Sequence, residues 1–217
     1  MKTSKRIYRL HGITPLLGSA PASASIRTEY IASKAPTDEL RQEEADELFS
    51  IETTGLTVFR RDKLDRLCLM GYMIKGFFKE AMQALQGQTK IVGYKSKIDT
   101  LIFVEPRYIP ICREGKPLTD EDEVLERPLR AMTPQGPRSA LQASEQIDDP
   151  WEVTIELTLL PNAATAKGAA LSWQTVEEAL DYGAYHGVGQ WRNADYGRFI
   201  WERLEDEEET EGAKEAE

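Results

Sequence analysis

The segment WEVTIELTL, residues 151–159, constrains the fold more than any other stretch of the chain. Trp151, Val153, Ile155, Leu157 and Leu159 alternate with Glu152, Thr154, Glu156 and Thr158. A two-residue period of this kind predicts a strand with one face in a core and the other in water. Such a sheet needs helices over its apolar face, and two segments can supply them. In MIKGFFKEAMQAL, Ile74, Phe77, Phe78, Ala81, Met82 and Leu85 recur on a single helical face, with Lys75 and Lys79 on another. Thr175–Glu178 has the form of a capping box, Val176, Ala179, Leu180 and Ala184 give the helix it opens an apolar stripe, and Gly187 fits the C-terminal cap.

The remaining strands are shorter. Lys5–Leu10 reads as a first strand broken by His11 and Gly12, and Leu56–Arg60 and Arg66–Tyr72 as a hairpin around RRDKLD. Thr100–Glu105 and RYIPIC form a further pair closed by Gly115, Lys116 and Pro117, and Arg198–Arg203 closes the chain. MTPQGPRS is a turn whose flanks, within residues 126–147, can be arms of a protruding hairpin. The stretch ITPLLGSAPASASIRTEY reads as a long surface loop, and residues 37–49 as a short polar helix opened by Thr37. With 217 residues, a single domain is expected. The element order predicts an α+β, ferredoxin-like (RRM-like) antiparallel sheet with helices on one face plus insertions, over residues 1–204, followed by a disordered acidic tail, 205–217.

Charge is polarised along the chain. The formal net charge is −10, yet residues 60–97 carry nine basic side chains against Asp62, Asp65 and Glu80, whereas residues 205–217 hold eight acids and one lysine. No apolar run approaches the ~20 residues of a membrane span, and MKTSKRIYRLHG lacks a signal-peptide core, so a cytoplasmic protein is expected. Cys68 and Cys112, far apart and in apolar surroundings, read as small buried hydrophobes rather than a metal pair or a disulfide. No phosphate-loop lysine motif, nucleophile elbow or metal-ligand spacing occurs, and neither a metal nor a cofactor is expected.

The residue types that remain suit a single nucleic-acid strand. In GVGQWRNADYGRF, Gly187, Gly189 and Gly197 permit close backbone approach to a ligand. Trp191, Tyr196 and Phe199 offer stacking faces, and Arg192 and Arg198 can neutralise phosphates. Arg60, Arg61 and Lys63 in the hairpin, with Lys75 and Lys79 on the helix after it, can line a backbone-tracking groove. Lys90, Lys95 and Lys97 interleave with Tyr94 in what reads as a loop. Each set has a structural alternative: a turn with packed aromatics, a solvated helix face balanced by Glu80, and, for His11 and His186, a histidine at an element end.

Two segments together resemble the RAMP superfamily, the ferredoxin-like RNA-binding proteins of CRISPR effector complexes. One is LMGYMIKGFFKEA, with Lys75-Gly76 where that family has a lysine-glycine step after a short strand; the other is the glycine-rich loop Gly187, Gly189, Gly197 and Arg198-Phe199 before the last strand. The chain also resembles a group of phage and prophage proteins that share this ending. The resemblance implies the ferredoxin-like fold and RNA binding, and, because RAMP-type endoribonucleases use a histidine as general acid or base, a possible role for His11 or His186. The leading expectation is a non-enzymatic protein that binds single-stranded RNA or DNA, is encoded by a phage or mobile element, and can assemble as a homo-oligomer along the strand. Its acidic tail would cover the basic groove in cis or contact basic proteins. The alternatives are a phage structural, assembly or inhibitor protein, and a metal-independent endoribonuclease.

Overall fold

β1 (Ser4–Gly12) lies between two later strands, β13 (Glu152–Leu159) and β14 (Phe199–Arg203), antiparallel to both. In this computed structural model residues 3–21, 55–133, 136–165 and 168–204 are described. The alternation of residues 151–159 becomes burial: Trp151, Val153, Ile155 and Leu157 are shut in, and the register sets Ile155 against Tyr8 and Val153 against Leu10. Both members of each pair are fully enclosed, the arrangement that most stabilises a sheet face.

The chain leaves β1 through β2 (Leu16–Leu17), β3 (Ala20–Pro21), β4 (Gly55–Val58), β5 (Arg60–Arg61) and β6 (Leu67–Met70) before α1 (Gly71–Ala84). After α1 come α2 (Gln86–Thr89), α3 (Tyr94–Leu101) and β7 (Ile102–Glu105), which returns to pair with β13. α4 (Trp173–Asp181) then leads to β14. Stripped of insertions, β1–α1–β7–β13–α4–β14 is a βαββαβ chain. Its four strands lie in the spatial order β14–β1–β13–β7, all neighbours antiparallel. That is a ferredoxin-like α+β fold.

α1 buries the face its sequence spells out, Ile74, Phe77, Phe78, Ala81 and Met82, and Phe77 meets Phe199 of β14 at a ring distance of 5.1 Å. Trp151, Ile155, Leu157, Phe78 and Leu180 share one core. No helix among the described residues is long and apolar enough to cross a membrane.

Two insertions surround this unit. β8 (Tyr108–Pro110) joins the hairpin of β5 and β6 in a three-stranded sheet, and β9 (Cys112–Arg113) and β10 (Lys116–Pro117) extend the main sheet beside β13. β11 (Glu123–Thr133) and β12 (Gly136–Ile147) form the expected long hairpin. β4 pairs in parallel with Gln142–Ser144 of β12 and β2 with its end. Among the described residues, 128–133 and 136–141 therefore pair only with each other, an arm of about 20 Å.

Several expectations change. Leu16 and Leu17, read as surface loop, are fully buried, because β2 closes the end of the β12 sheet. Tyr94, Lys95 and Lys97, also read as loop, and Thr100 and Leu101, read as the start of a strand, lie in α3: Gly93 takes a left-handed φ of 68° to start it, and only Ile98 of the helix is fully buried, which left little apolar period to detect. α4 is capped by Ser172, whose hydroxyl accepts the Thr175 N–H at 3.3 Å, instead of by a box opening at Thr175. The helix ends at Asp181, so Gly187 is not its cap. Cys68 is buried but Cys112 is only half-buried. The 37–49 helix and the 205–217 tail lie outside the described residues.

Candidate nucleic-acid interface

The glycine-rich loop is fastened to the β1–β2 turn. Val188 N–H donates to Gly197 O at 2.9 Å and Gly197 N–H to Pro15 O at 2.7 Å. A Cβ on Gly187 would stand 2.1 Å from the Gly197 carbonyl carbon, so the two backbones meet at a spacing only glycine allows. Thr14 completes the joint by accepting the Arg198 N–H and donating to Asp195 O, while its own carbonyl takes the Trp151 indole N–H.

The loop's side chains mostly face inward to partners. Arg192 grips both oxygens of Glu80 on α1, at 2.5 and 2.9 Å, and His186 Nε2 lies 2.9 Å from the same carboxylate. Arg198 Nε donates to Ala184 O at 2.7 Å. Phe199 is core. Trp191, at 38% exposure, stacks on Tyr196 with centroids 5.2 Å apart, and the Arg127 guanidinium lies against its ring at 4.2 Å. The structure thus brings Trp191 and Tyr196 together as a stack but makes Arg192 and Arg198 tethers. Gly189, at φ 86°, turns the chain into that stack.

The basic segment divides in the same way. Arg61 donates to the carbonyls of Thr119 and Asp65 and pairs with Glu121 at 3.7 Å. Lys79 pairs with Asp99 at 2.6 Å, not with Glu80, and Lys97 ties α3 to Ala169 O at 2.8 Å. Lys95 is exposed on α3, and Arg60 sits half-buried on β5 opposite Cys68. Lys75 reaches Asp99 O at 3.2 Å and lies 5.1 Å from the exposed ring of Phe103.

That last contact opens onto a corner the sequence did not single out. β7 passes through Pro106 and Arg107 into β8, and the Gly71 N–H at the start of α1 donates to Arg107 O. Three aromatic side chains on the elements that meet here, Tyr72 of α1, Phe103 of β7 and Tyr108 of β8, are exposed, and β8 sets Tyr108 against Met70. Beside Tyr108 is an open cleft of about 570 Å³ whose charged lining is Arg61, Lys63, Arg66 and Arg107 against Asp62 alone. Asp62 is engaged by Arg66 at 2.5 Å, and those hydrogen bonds hold its carboxyl below the usual range. Lys63 and Arg107 have no ion-pair partner among the described residues, and the Arg107 guanidinium lies 5.9 Å from the Tyr108 ring. The sequence had marked Arg61, Lys63 and Lys75 as groove-lining cations, but the aromatic side of the corner was visible only as Arg107-Tyr108, which reads equally as a strand start.

Other chemistry is sparse. His11 lies 3.2 Å from Glu202, so each histidine sits on a carboxylate of its own. Among the described residues no three His, Cys, Asp or Glu side chains group as metal ligands would. Burial pushes the Cys68 thiol up to about 11.

No family model and no curated protein matches the chain. Among solved structures it is similar to a chain of the type III-B Cmr-beta complex bound to cognate target RNA, determined by cryo-EM, at 10% identity and a TM-score of 0.45. The match covers 95% of this chain and 60% of that one, so this chain spans less than two thirds of its length. The assignment of the fold rests on strand order and pairing.

Proposed function

We propose that this chain is a non-enzymatic nucleic-acid-binding protein that holds a single strand across the corner between β6, α1, β7 and β8. The observation that carries the reading is the pairing of exposed rings with cations, Tyr108 in a cleft with Lys63 and Arg107 and Phe103 against Lys75, with Tyr72 exposed on α1. Flat faces that any base can stack on, flanked by cations for the phosphates, are the requirements of strand binding without a groove to read. Rings already stacked within a duplex could not use such a ridge, which favours single strands. The resemblance of Lys75-Gly76 and the 187–199 loop to the RAMP superfamily supports nucleic-acid binding, and the resemblance of the chain's ending to phage and prophage proteins supports an origin in a phage or mobile element. The projecting β11–β12 arm is suited to touching a neighbouring copy along a strand.

A gel-shift panel of single- and double-stranded RNA and DNA tests the proposal. Single strands should bind most tightly, with log affinity falling by about 0.7 per phosphate contact for each tenfold rise in salt. Duplex binding as tight as strand binding, or none to either, would overturn it.

A further inference from the structure

Arg127, at the base of the β11 arm, is a buried charge that neither the fold nor the corner accounts for. It is 4% exposed, and its Nε and Nη1 are enclosed without a hydrogen-bond partner among the described residues. No carboxylate pairs with it among the described residues. Its one polar contact among the described residues is through Nη2, 3.1 Å from the amide oxygen of Gln190; that amide is oriented by its other partners, with its nitrogen 2.6 Å from Gly18 O and 2.9 Å from Thr57 Oγ1. Burial draws the Arg127 pKa down, the Tyr196 phenol opposing it, but a guanidinium keeps its proton at neutral pH. An unpaired buried cation is among the costliest features a fold can carry.

The surroundings say what would satisfy it. The side chains around it are polar and paired: Gln142 Nε2 also donates to the Gln190 oxygen at 3.1 Å, and the Thr57 and Ser144 hydroxyls are 2.8 Å apart. Both two-nitrogen edges of a guanidinium include Nη2, so the Gln190 oxygen occupies a place that an oxyanion bridging either edge would take. Trp191 is the cover. The indoles of Trp151, Trp173 and Trp201 are anchored through their N–H groups on Thr14 O, Ser4 Oγ and Asp181 Oδ1. Among the described residues the Trp191 N–H has no such anchor. Its ring is held by stacking alone, between Arg127 and Tyr196.

We propose that Arg127 is an oxyanion receptor that takes a phosphate group, with the Gln190 amide oxygen holding the place of the ligand and Trp191 moving aside to admit it. The choice of phosphate rests on the nucleic-acid reading above; the need for an oxyanion does not. The phosphate could be inorganic or part of a strand, and the two are separable by experiment.

Melting temperature, tryptophan emission and binding are measured for the full chain and for Arg127→Leu, with inorganic phosphate, a 5′-mononucleotide and a twelve-residue single strand as probes. Without ligand, Arg127→Leu should melt a few degrees higher, because an unpaired charge has been replaced by an apolar side chain. It should bind the strand at least tenfold more weakly and lose the red shift of emission that ligand causes in the parent. Should the leucine variant not fold, Arg127→Gln is measured in the same way. A variant that melts below the parent and binds every probe as tightly would make Arg127 a structural cation and overturn the receptor. The two proposals fail separately. Strand binding indifferent to Arg127 leaves the corner standing and sinks the receptor. A parent that binds no strand, yet gains melting temperature from inorganic phosphate only when Arg127 is present, keeps the receptor and sinks the strand reading.

Discussion

Arg192 in the 187–198 loop lies 2.5 and 2.9 Å from the two oxygens of Glu80, whereas Arg107 at the β7–β8 corner has the Tyr108 ring at 5.9 Å and no ion-pair partner among the described residues. Both regions combine arginine, tyrosine and a second aromatic. In the loop those side chains close the molecule on itself, with Arg192 fixed to α1, Arg198 to Ala184 O and Phe199 in the core. At the corner the same residue types stand outside the core, with Tyr72 and Tyr108 at 63% and 40% exposure. Composition therefore says which residues can bind a strand, and only the partners each side chain has found say which remain free to do so.

The comparison breaks most visibly at Gly187. Gly187→Ala would force a Cβ to within 2.1 Å of the Gly197 backbone, and unfolding in denaturant should show a loss of more than about 3 kcal/mol or no folded protein at all. A variant as stable as the parent would mean that the loop is not fastened as described. Next in size, Tyr108→Ala and Phe103→Ala should each weaken strand binding by about 1–3 kcal/mol. Their melting temperatures should hardly move, and a fall in melting with affinity intact would assign these rings to packing.

Arg192→Ala should do the reverse. The Glu80 pair is partly exposed, so its loss should cost about 1 kcal/mol or less in stability. Strand affinity should stay at the parent value, and a clear drop in affinity would return the loop to the interface. Smallest of all, Lys63→Ala and Arg107→Ala should each make the salt dependence of binding shallower by about 0.7 in slope, with little change in which sequences are preferred. An unaltered slope would show that the cleft does not meet phosphates.

The sheet and its cover were legible where a period had enough residues to show. The alternation at 151–159 and the apolar face of 74–82 state directly what they bury. α3 was not legible, since a single buried Ile98 in YKSKIDTL is no period. Nor was β2, whose two leucines are buried by the far end of β12, Leu16 against Ile147. In the candidate site, the sequence identified residues suited to a strand but not their distant partners. Arg192 and Glu80 are 112 positions apart, and nothing near either one announces the other. Arg127 lies in ERPLR, a run that looks like any exposed strand of mixed charge, and its burial follows only from the loop folding over it.

β1 has a further consequence through its place in the sheet. It is the central strand, and both of its neighbours come from the far end of the chain: His11 lies against Glu152 on one side and Ile200 on the other. A ribosome adding about 5–20 residues per second needs roughly 10–40 s to travel from the end of β1 to β14. Until β13 is made Tyr8 and Leu10, which end fully enclosed, have neither neighbouring strand to pair with, and until β14 is made they lack one of the two. Closing contacts of such sequence separation is also slow, because the entropy of ordering the intervening chain is lost before any pairing compensates it. β1 is thus made well before it can be completed, and the nascent chain carries an open sheet edge that any extended segment, its own or another's, can join in the meantime.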